Sequence, residues 1–184
     1  EDVLIPALEV VREQVPDVRL ILAPHEPDAG HVVVLSQRLV TAGWSTATLS
    51  NVEQSGSVRS VDAVVVDRLG ALVDLYTIGR IAYVGGGFHG AGLHSVLEPA
   101  AARLPVLFGP RHHSVRAGAD LVTVGAARSV EGQDALAEAM LTWLTEDGLR
   151  EQAAERAFGY IEGHLGAANR TATVLSDLLR STNT

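Results

Sequence analysis

Residues 81–110, with the sequence IAYVGGGFHGAGLHSVLEPAAARLPVLFGP, decide the fold of this chain. The apolar residues 81–84 predict a short buried strand, and the glycine-rich residues 85–92, called the glycine loop below, follow it. A helix is expected to begin near Ser95, and a second apolar strand is expected over residues 105–108. A strand, a loop, a helix and a further strand are typical of an open α/β sheet, which binds ligands where its parallel strands end.

The start of the predicted helix carries a second signal. Ser95 and Glu98 match the S-x-x-E capping box, in which the two side chains satisfy backbone N–H groups at the helix N-terminus. A helix start beside a glycine loop favours an anion, typically phosphate. Capping is common without a ligand, so these residues alone leave a binding role and a structural role open. The loop also matches G-x-G-x-x-G, but the acidic residue that a dinucleotide fold needs about 20 residues further on is absent.

Composition limits the classes of function. The chain has 184 residues, enough for one domain with a real core, and 47% of them are hydrophobic. The formal net charge is -8, and all 14 basic residues are scattered arginines, so no basic stripe for nucleic acid is present. Cysteine is absent, which excludes disulfides and thiolate chemistry. We expect a cytoplasmic domain, and because the chain begins with Glu1, not methionine, directly before a predicted helix, we expect it to be part of a longer polypeptide.

Apolar runs that alternate with helical patterns predict an α/β fold with a parallel, doubly wound sheet of six strands. Besides the two strands above, strands are expected over residues 18–23, 45–49, 61–66 and 121–124. Further helices are expected over residues 2–14, 28–39, 70–77, 115–120, 133–144, 148–164 and 168–180. The polar residues 51–60 are expected to be a mobile loop.

Several segments of the chain closely resemble the Kdo (3-deoxy-D-manno-octulosonic acid) transferases. They are APHEP at residues 23–27, DRLG at 67–70, YVGGGF at 83–88, GLHSVLEP at 92–99 and PVLFGP at 105–110. The resemblance implies the C-terminal half of a two-domain GT-B glycosyltransferase, with a Rossmann-like parallel sheet and flanking helices. It also implies that residues 1–184 are a single nucleotide-sugar (donor) binding domain without the N-terminal acceptor domain. In this pattern a strand preceding Glu1 is expected between residues 18–23 and 61–66.

The resemblance also implies where the donor binds. The implied donor-binding residues are Pro24, His25, Leu69, Gly70, Gly86, Gly87, His94, Ser95 and Glu98. At its helix start Glu98 is expected to hold the ribose hydroxyls, because a carboxylate offers two acceptor oxygens. Three positions depart from the usual family residues: Ser95 replaces an asparagine, His25 an arginine and Ala71 a glutamate. These changes are expected to weaken contacts to the sugar and the phosphate.

Other polar residues near the expected site have two possible roles. Arg68 is either a positive charge beside the nucleotide or a solvated surface residue. Arg111, His112 and His113 either contact the carboxylate of the donor sugar or form an exposed polar loop. The histidines have no metal-ligand spacing, so no metal or other cofactor is expected. No catalytic residue is expected in this chain either, since the family places its acidic base in the N-terminal domain.

The resemblance implies an inverting transfer of Kdo from CMP-Kdo to a lipid A precursor in lipopolysaccharide biosynthesis. The acceptor and any membrane contact, at the cytoplasmic face of the inner membrane, are expected to involve only the intact protein, and this chain alone is expected to be inactive. Two alternatives remain open. One is a GT-B glycosyltransferase or an epimerase that uses a UDP-sugar, and the other is a non-catalytic nucleotide-sugar binding module.

Overall fold

The structure is a computed structural model that describes residues 1–90, 92–166, 171–175 and 180. Its strands are short and mostly apolar, and each contains three residues. They are β1 (Leu20–Leu22), β2 (Thr46–Thr48), β3 (Ala63–Val65), β4 (Ala82–Val84), β5 (Val106–Phe108) and β6 (Ala127–Ser129). The helices are α1 (Leu4–Gln14), α2 (Ala29–Thr41), α3 (Leu49–Ser55), α4 (Leu72–Tyr76), α5 (Leu97–Ala101), α6 (Arg116–Thr123), α7 (Gln133–Thr145) and α8 (Asp147–His164).

All the strand pairs are parallel, which confirms the predicted α/β architecture. The strand order is β1-β3-β2 in one sheet and β4-β5-β6 in the other. Ala63 of β3 is in register with Leu20 on one side and Thr46 on the other. The strands thus form two sheets and not the single sheet expected from the sequence, because no described ladder joins β1 to β4. The expected place for a strand preceding Glu1 is wrong, since β1 and β3 pair directly.

Local sequence explains the start of α2. One carboxylate oxygen of Asp28 accepts hydrogen bonds from the backbone N–H groups of Gly30, at 2.9 Å, and His31, at 3.0 Å. These bonds satisfy N–H groups that have no partner inside the helix, so Asp28 is the predicted N-cap. Beyond the end of the helix, Gly43 has a φ of 82°, a conformation that glycine adopts without steric cost.

Two predicted elements are wrong. Of the polar residues 51–60, expected to form a loop, residues 51–55 belong to α3. This helix is capped at its start by the Thr48 hydroxyl, which accepts from the Asn51 N–H at 3.3 Å, and it ends before Gly56, which has a φ of 64°. The apolar residues 121–124 belong mainly to α6, whose buried face includes Leu121, and the strand follows as β6. Apolar runs this short do not distinguish a strand from a buried helix turn. Most of the helix predicted over residues 168–180 lies outside the described residues; residues 171–175 are helical.

Two hydrophobic clusters hold the layers together. The larger one packs α1, α2 and α7 against residues of both sheets, including Val65 of β3 and Leu107 of β5. The smaller cluster lies around β5, α6 and α8, with Phe108, Leu121 and Ala157 fully buried. Side chains therefore connect the two sheets although backbone hydrogen bonds do not. None of the helices in the described part of the chain has both the length and the hydropathy of a transmembrane segment.

Candidate functional site

The glycine loop follows β4 and folds back on itself. The backbone N–H of His94 donates to the carbonyl of Gly85 at 3.2 Å. Gly86 has a φ of 90°, and a Cβ atom there would lie 2.1 Å from the carbonyl oxygen of Gly92 and 2.7 Å from Cδ2 of His94. Only glycine fits this position, because any Cβ would overlap a backbone atom.

The same loop packs on the segment that follows β5. A Cβ atom on Gly87 would lie 2.7 Å from the backbone nitrogen of Gly109, so the two backbones are in direct contact. The backbone N–H of Arg111 donates to the carbonyl of Gly87 at 2.9 Å, which fixes the contact. The ends of β4 and β5 therefore form one continuous edge.

A histidine pair connects this edge to the first sheet. The rings of His25, in the loop after β1, and His94 are in edge-to-face contact, with centroids 4.5 Å apart and an interplanar angle of 75°. Both side chains are exposed, whereas Pro24 beside His25 is half-buried. The predicted donor-binding residues fall in three segments: 24–25, 86–98 and 69–70. The structure thus brings together residues from the first two of these segments.

The start of α5 differs from its prediction. The helix begins at Leu97 with Val96 at the N-cap position, and no side chain caps it. The predicted capping box of Ser95 and Glu98 is therefore wrong. Val96 is fully buried in the smaller cluster, which also contains Leu93, so a buried apolar residue stands at the N-cap position where the prediction placed a polar cap.

Glu98 is exposed in the first turn of α5. Among the described residues its carboxylate has no hydrogen-bond or ion-pair partner. Burial raises the pKa of the Tyr76 hydroxyl, and the nearby negative charge of Glu98 raises it further. Glu98 therefore lies beside α4, the helix that follows the third predicted donor-binding segment, and its carboxylate is available to accept hydrogen bonds.

That third segment, Leu69 and Gly70, lies between β3 and α4 and is exposed; the Leu69 side chain is 80% accessible. Its beginning is fixed to α3, because Asp67 accepts from both the N–H (3.2 Å) and the hydroxyl (3.0 Å) of Ser50. Burial raises the pKa of Asp67, but hydrogen bonds, those from Ser50 foremost, together outweigh this effect, so the pKa is lowered overall. Arg68 does not leave a free positive charge here, since both of its terminal nitrogens bind the Glu53 carboxylate at 2.6 Å.

The loop after β5 contains a residue whose burial the sequence did not indicate. His112 is only 8% accessible, whereas its neighbours Arg111 and His113 are exposed. Three consecutive polar residues after Gly109-Pro110 read as a solvated loop, so no local pattern marks the middle one as buried. In the described part of the chain no group of three or more His, Cys, Asp or Glu side chains has a metal-binding arrangement.

No family model matches the chain, but curated proteins resemble it. The chain is 31% identical over 180 residues to the 3-deoxy-D-manno-octulosonic acid transferase of Bordetella pertussis, covering 95% of this chain and 40% of that protein. It is 31% identical over 114 residues to the enzyme of the same name from Aquifex aeolicus, covering 62% of this chain and 30% of that protein. The chain therefore spans well under half the length of these curated relatives.

Two solved structures resemble the fold. The C-terminal CMP-Kdo binding domain of WaaA from Acinetobacter baumannii matches with a TM-score of 0.71 and 20% identity, covering 84% of this chain and 81% of that chain. WaaG, a glycosyltransferase involved in lipopolysaccharide biosynthesis, matches with a TM-score of 0.51 and 17% identity, covering 91% of this chain and 50% of that chain.

The fold is that of a Rossmann-like domain of a GT-B glycosyltransferase, as predicted. By sequence the chain is a homologue of the Kdo transferases, and it has the fold of their C-terminal domain. The resemblance to the Kdo transferases that the sequence segments predicted is therefore confirmed.

Proposed function

We propose that this chain is the donor-binding domain of a glycosyltransferase that moves Kdo from CMP-Kdo to a lipid A precursor. Curated relatives in two bacteria carry the name of this transferase, and the structurally similar domain of WaaA is described as binding CMP-Kdo. In this proposal residues 1–184 act as one domain.

The observation that carries the proposal is the contact between His25 and His94. Nucleotide ligands of open α/β sheets bind where the parallel strands end, at loops that meet from neighbouring strands. The histidine contact joins the loop after β1 to the segment between the glycine loop and α5, at such an edge. Glu98 lies in the first turn of α5, the helix that follows the glycine loop, and its charge acts on α4, the helix that Leu69 and Gly70 precede.

Backbone N–H groups supply the part of the site that suits phosphate. Those of Leu69, Gly70, Gly86 and Gly87 have no backbone acceptor among the described residues. N–H groups in turns of this kind form concave sites for anions without any cationic side chain. Phosphate could therefore bind here without an arginine, although Arg68 is bound to Glu53 and His25 replaces the family arginine.

Glu98 would hold the ribose. Its carboxylate is exposed and unpaired among the described residues, so binding two hydroxyl groups breaks no existing interaction. Ser95, also exposed, and His94 lie between the phosphate-binding backbone and Glu98 in the sequence, where they would contact the donor.

The chemical step requires groups that these residues do not provide. Transfer needs a base within hydrogen-bonding reach of the acceptor hydroxyl. We place this base, the lipid acceptor surface and contact with the cytoplasmic face of the inner membrane in a further domain of the intact protein. The chain alone should therefore bind the donor and transfer no sugar.

A second candidate is a non-catalytic nucleotide-sugar binding module. Ala71, which replaces a family glutamate, and the engagement of Arg68 with Glu53 both reduce the charged contacts available to a donor. This candidate predicts donor binding without transfer even when the rest of the protein is present.

Isothermal titration calorimetry with CMP, UDP and ADP tests the proposal. Preference for CMP supports a Kdo donor, preference for UDP indicates the UDP-sugar alternative, and binding of none of the three contradicts the proposal. Glu98→Ala should weaken CMP binding by about 1.5–3 kcal/mol, as expected for hydrogen bonds to a charged group. The matched control is Glu138→Ala, an exposed glutamate on α7, which should leave CMP affinity unchanged. Unchanged affinity in Glu98→Ala would remove Glu98 from the site.

A further inference from the structure

Two buried side-chain atoms lack a hydrogen-bond partner among the described residues: Nε1 of Trp44 and Nδ1 of His112. A buried polar atom without a partner destabilises a folded protein, and its presence needs a structural explanation. Trp44 belongs to the larger hydrophobic cluster, where the Arg12 guanidinium lies over its ring, and none of the predicted donor-binding residues belongs to that cluster. His112 lies at the candidate site, so the two atoms differ in the feature that matters for binding.

His112 is surrounded by elements of the site. It follows Arg111, whose backbone N–H donates to Gly87 of the glycine loop. A Cβ atom built on Gly118 of α6 would lie 3.5 Å from Cβ of His112 and 3.1 Å from Cδ2 of Leu93, so these two side chains meet there. Leu93 immediately precedes His94. His112 is therefore held between α6 and the segment that contains His94.

The His112 ring contacts two other aromatic rings. The centroid of the buried Phe108 ring in β5 lies 5.1 Å away, and that of the exposed His113 ring lies 4.4 Å away. These contacts lie at the carboxyl end of β5, the middle strand of its sheet. An apolar side chain would fill the position of His112 at least as well, because nothing in the described residues uses the polarity of Nδ1.

We propose that His112 is a donor-binding residue whose Nδ1 gains its hydrogen-bond partner only when the nucleotide sugar is bound. The partner is an oxyanion of the ligand, either the phosphate or the sugar carboxylate. The inference rests on the donor-binding function proposed above and adds a residue to that site. Binding rearranges the short loop between β5 and α6, so that the ring nitrogen, shielded in the free protein, reaches the ligand. The unpartnered Nδ1 of His112 destabilises the free protein, and the hydrogen bond to the ligand removes this destabilisation in the bound protein.

The test compares three variants. His112→Phe keeps a ring of similar size without a polar atom, His112→Asn keeps a polar atom near the position of Nδ1, and Trp44→Phe removes the other unpaired buried atom away from the site. The melting temperature and the affinities for CMP and CMP-Kdo are measured for each variant and for the unaltered chain.

His112→Phe should melt at the same temperature as the unaltered chain or higher, and it should bind the ligand about tenfold or more weakly. His112→Asn should recover most of the affinity, and Trp44→Phe should leave affinity unchanged. A loss already present with CMP identifies the phosphate as the partner, and a loss seen only with CMP-Kdo identifies the carboxylate. Unchanged affinity for both ligands in His112→Phe, or an equal loss in Trp44→Phe, would overturn the inference and leave the proposed function intact.

A spectroscopic measurement does not depend on the variants. The ¹⁵N chemical shift of the His112 ring nitrogen should move when the labelled chain is saturated with the ligand, because Nδ1–H then donates a hydrogen bond. A shift that stays constant at saturation would also overturn the inference. If the unaltered chain binds neither ligand, the proposed function fails and the inference fails with it.

Discussion

Replacing Gly86 by alanine tests the geometry of the glycine loop. At a φ of 90° a residue with a side chain carries backbone strain of about 1–3 kcal/mol. The new Cβ would also lie 2.1 Å from the carbonyl oxygen of Gly92, a backbone atom that cannot rotate away as a flexible side chain can. The two effects together should lower the free energy of unfolding by about 3 kcal/mol or more, in the range of the severe single substitutions.

The neighbouring glycine provides the control. A Cβ atom on Gly85 meets no atom within 4 Å, so Gly85→Ala should change stability far less. Both variants are measured by urea unfolding, and their CMP affinities by calorimetry under conditions where each remains folded. Gly86→Ala should also lose CMP affinity, since relieving the clash displaces Gly92 and His94. If the two variants proved equally stable, the backbone contact between Gly86 and Gly92 would not be the reason for glycine at this position.

Two further predictions concern stability. Asp28→Ala removes the N-cap of α2 and should cost about 1 kcal/mol in thermal unfolding, whereas Asp28→Asn, which keeps an acceptor oxygen, should cost much less. The hydrogen bond from Ser45, with the charges of Arg19 and Arg12, lowers the pKa of Asp62 in the folded state. The stability from Asp62 is therefore present above the unfolded pKa of about 3.9 and lost as the pH falls through the lower folded pKa. The free energy of unfolding, measured in urea at pH 7 and at pH 3, should differ less between the two pH values for Asp62→Asn than for the unaltered chain. An equal difference in the two proteins would contradict this role of Asp62.

The sequence predicts those parts of the fold whose causes are local. The apolar strands β1, β3, β4 and β5 lie within their predicted ranges, because three or more consecutive apolar residues leave a clear pattern in the sequence. The Asp28 cap is also local, since donor and acceptor are two or three residues apart. Identification of the site segments depended on a resemblance to a family and not on the physics of single residues.

The errors arise where distant packing decides the local structure. Ser95 and Glu98 have the spacing of a capping box, but the helix begins at Leu97, and its N-cap position is taken by Val96, which packs with Leu93 in the smaller cluster. His112 has a polar neighbour on each side, and its burial depends on Phe108 and on space beside Gly118. Neither outcome follows from spacing along the chain, because each depends on contacts between elements.

The absence of a described ladder between β1 and β4 has a mechanical consequence. Side chains of the larger cluster and the pair of His25 and His94 bridge the seam between the two sheets. A nucleotide held by loops on both sides would act as a clamp across this seam, at the end where the parallel strands terminate. Substitutions deep in the seam, such as at Leu22 or Tyr83, would then alter ligand affinity by changing the alignment of the two halves of the clamp, without touching the ligand.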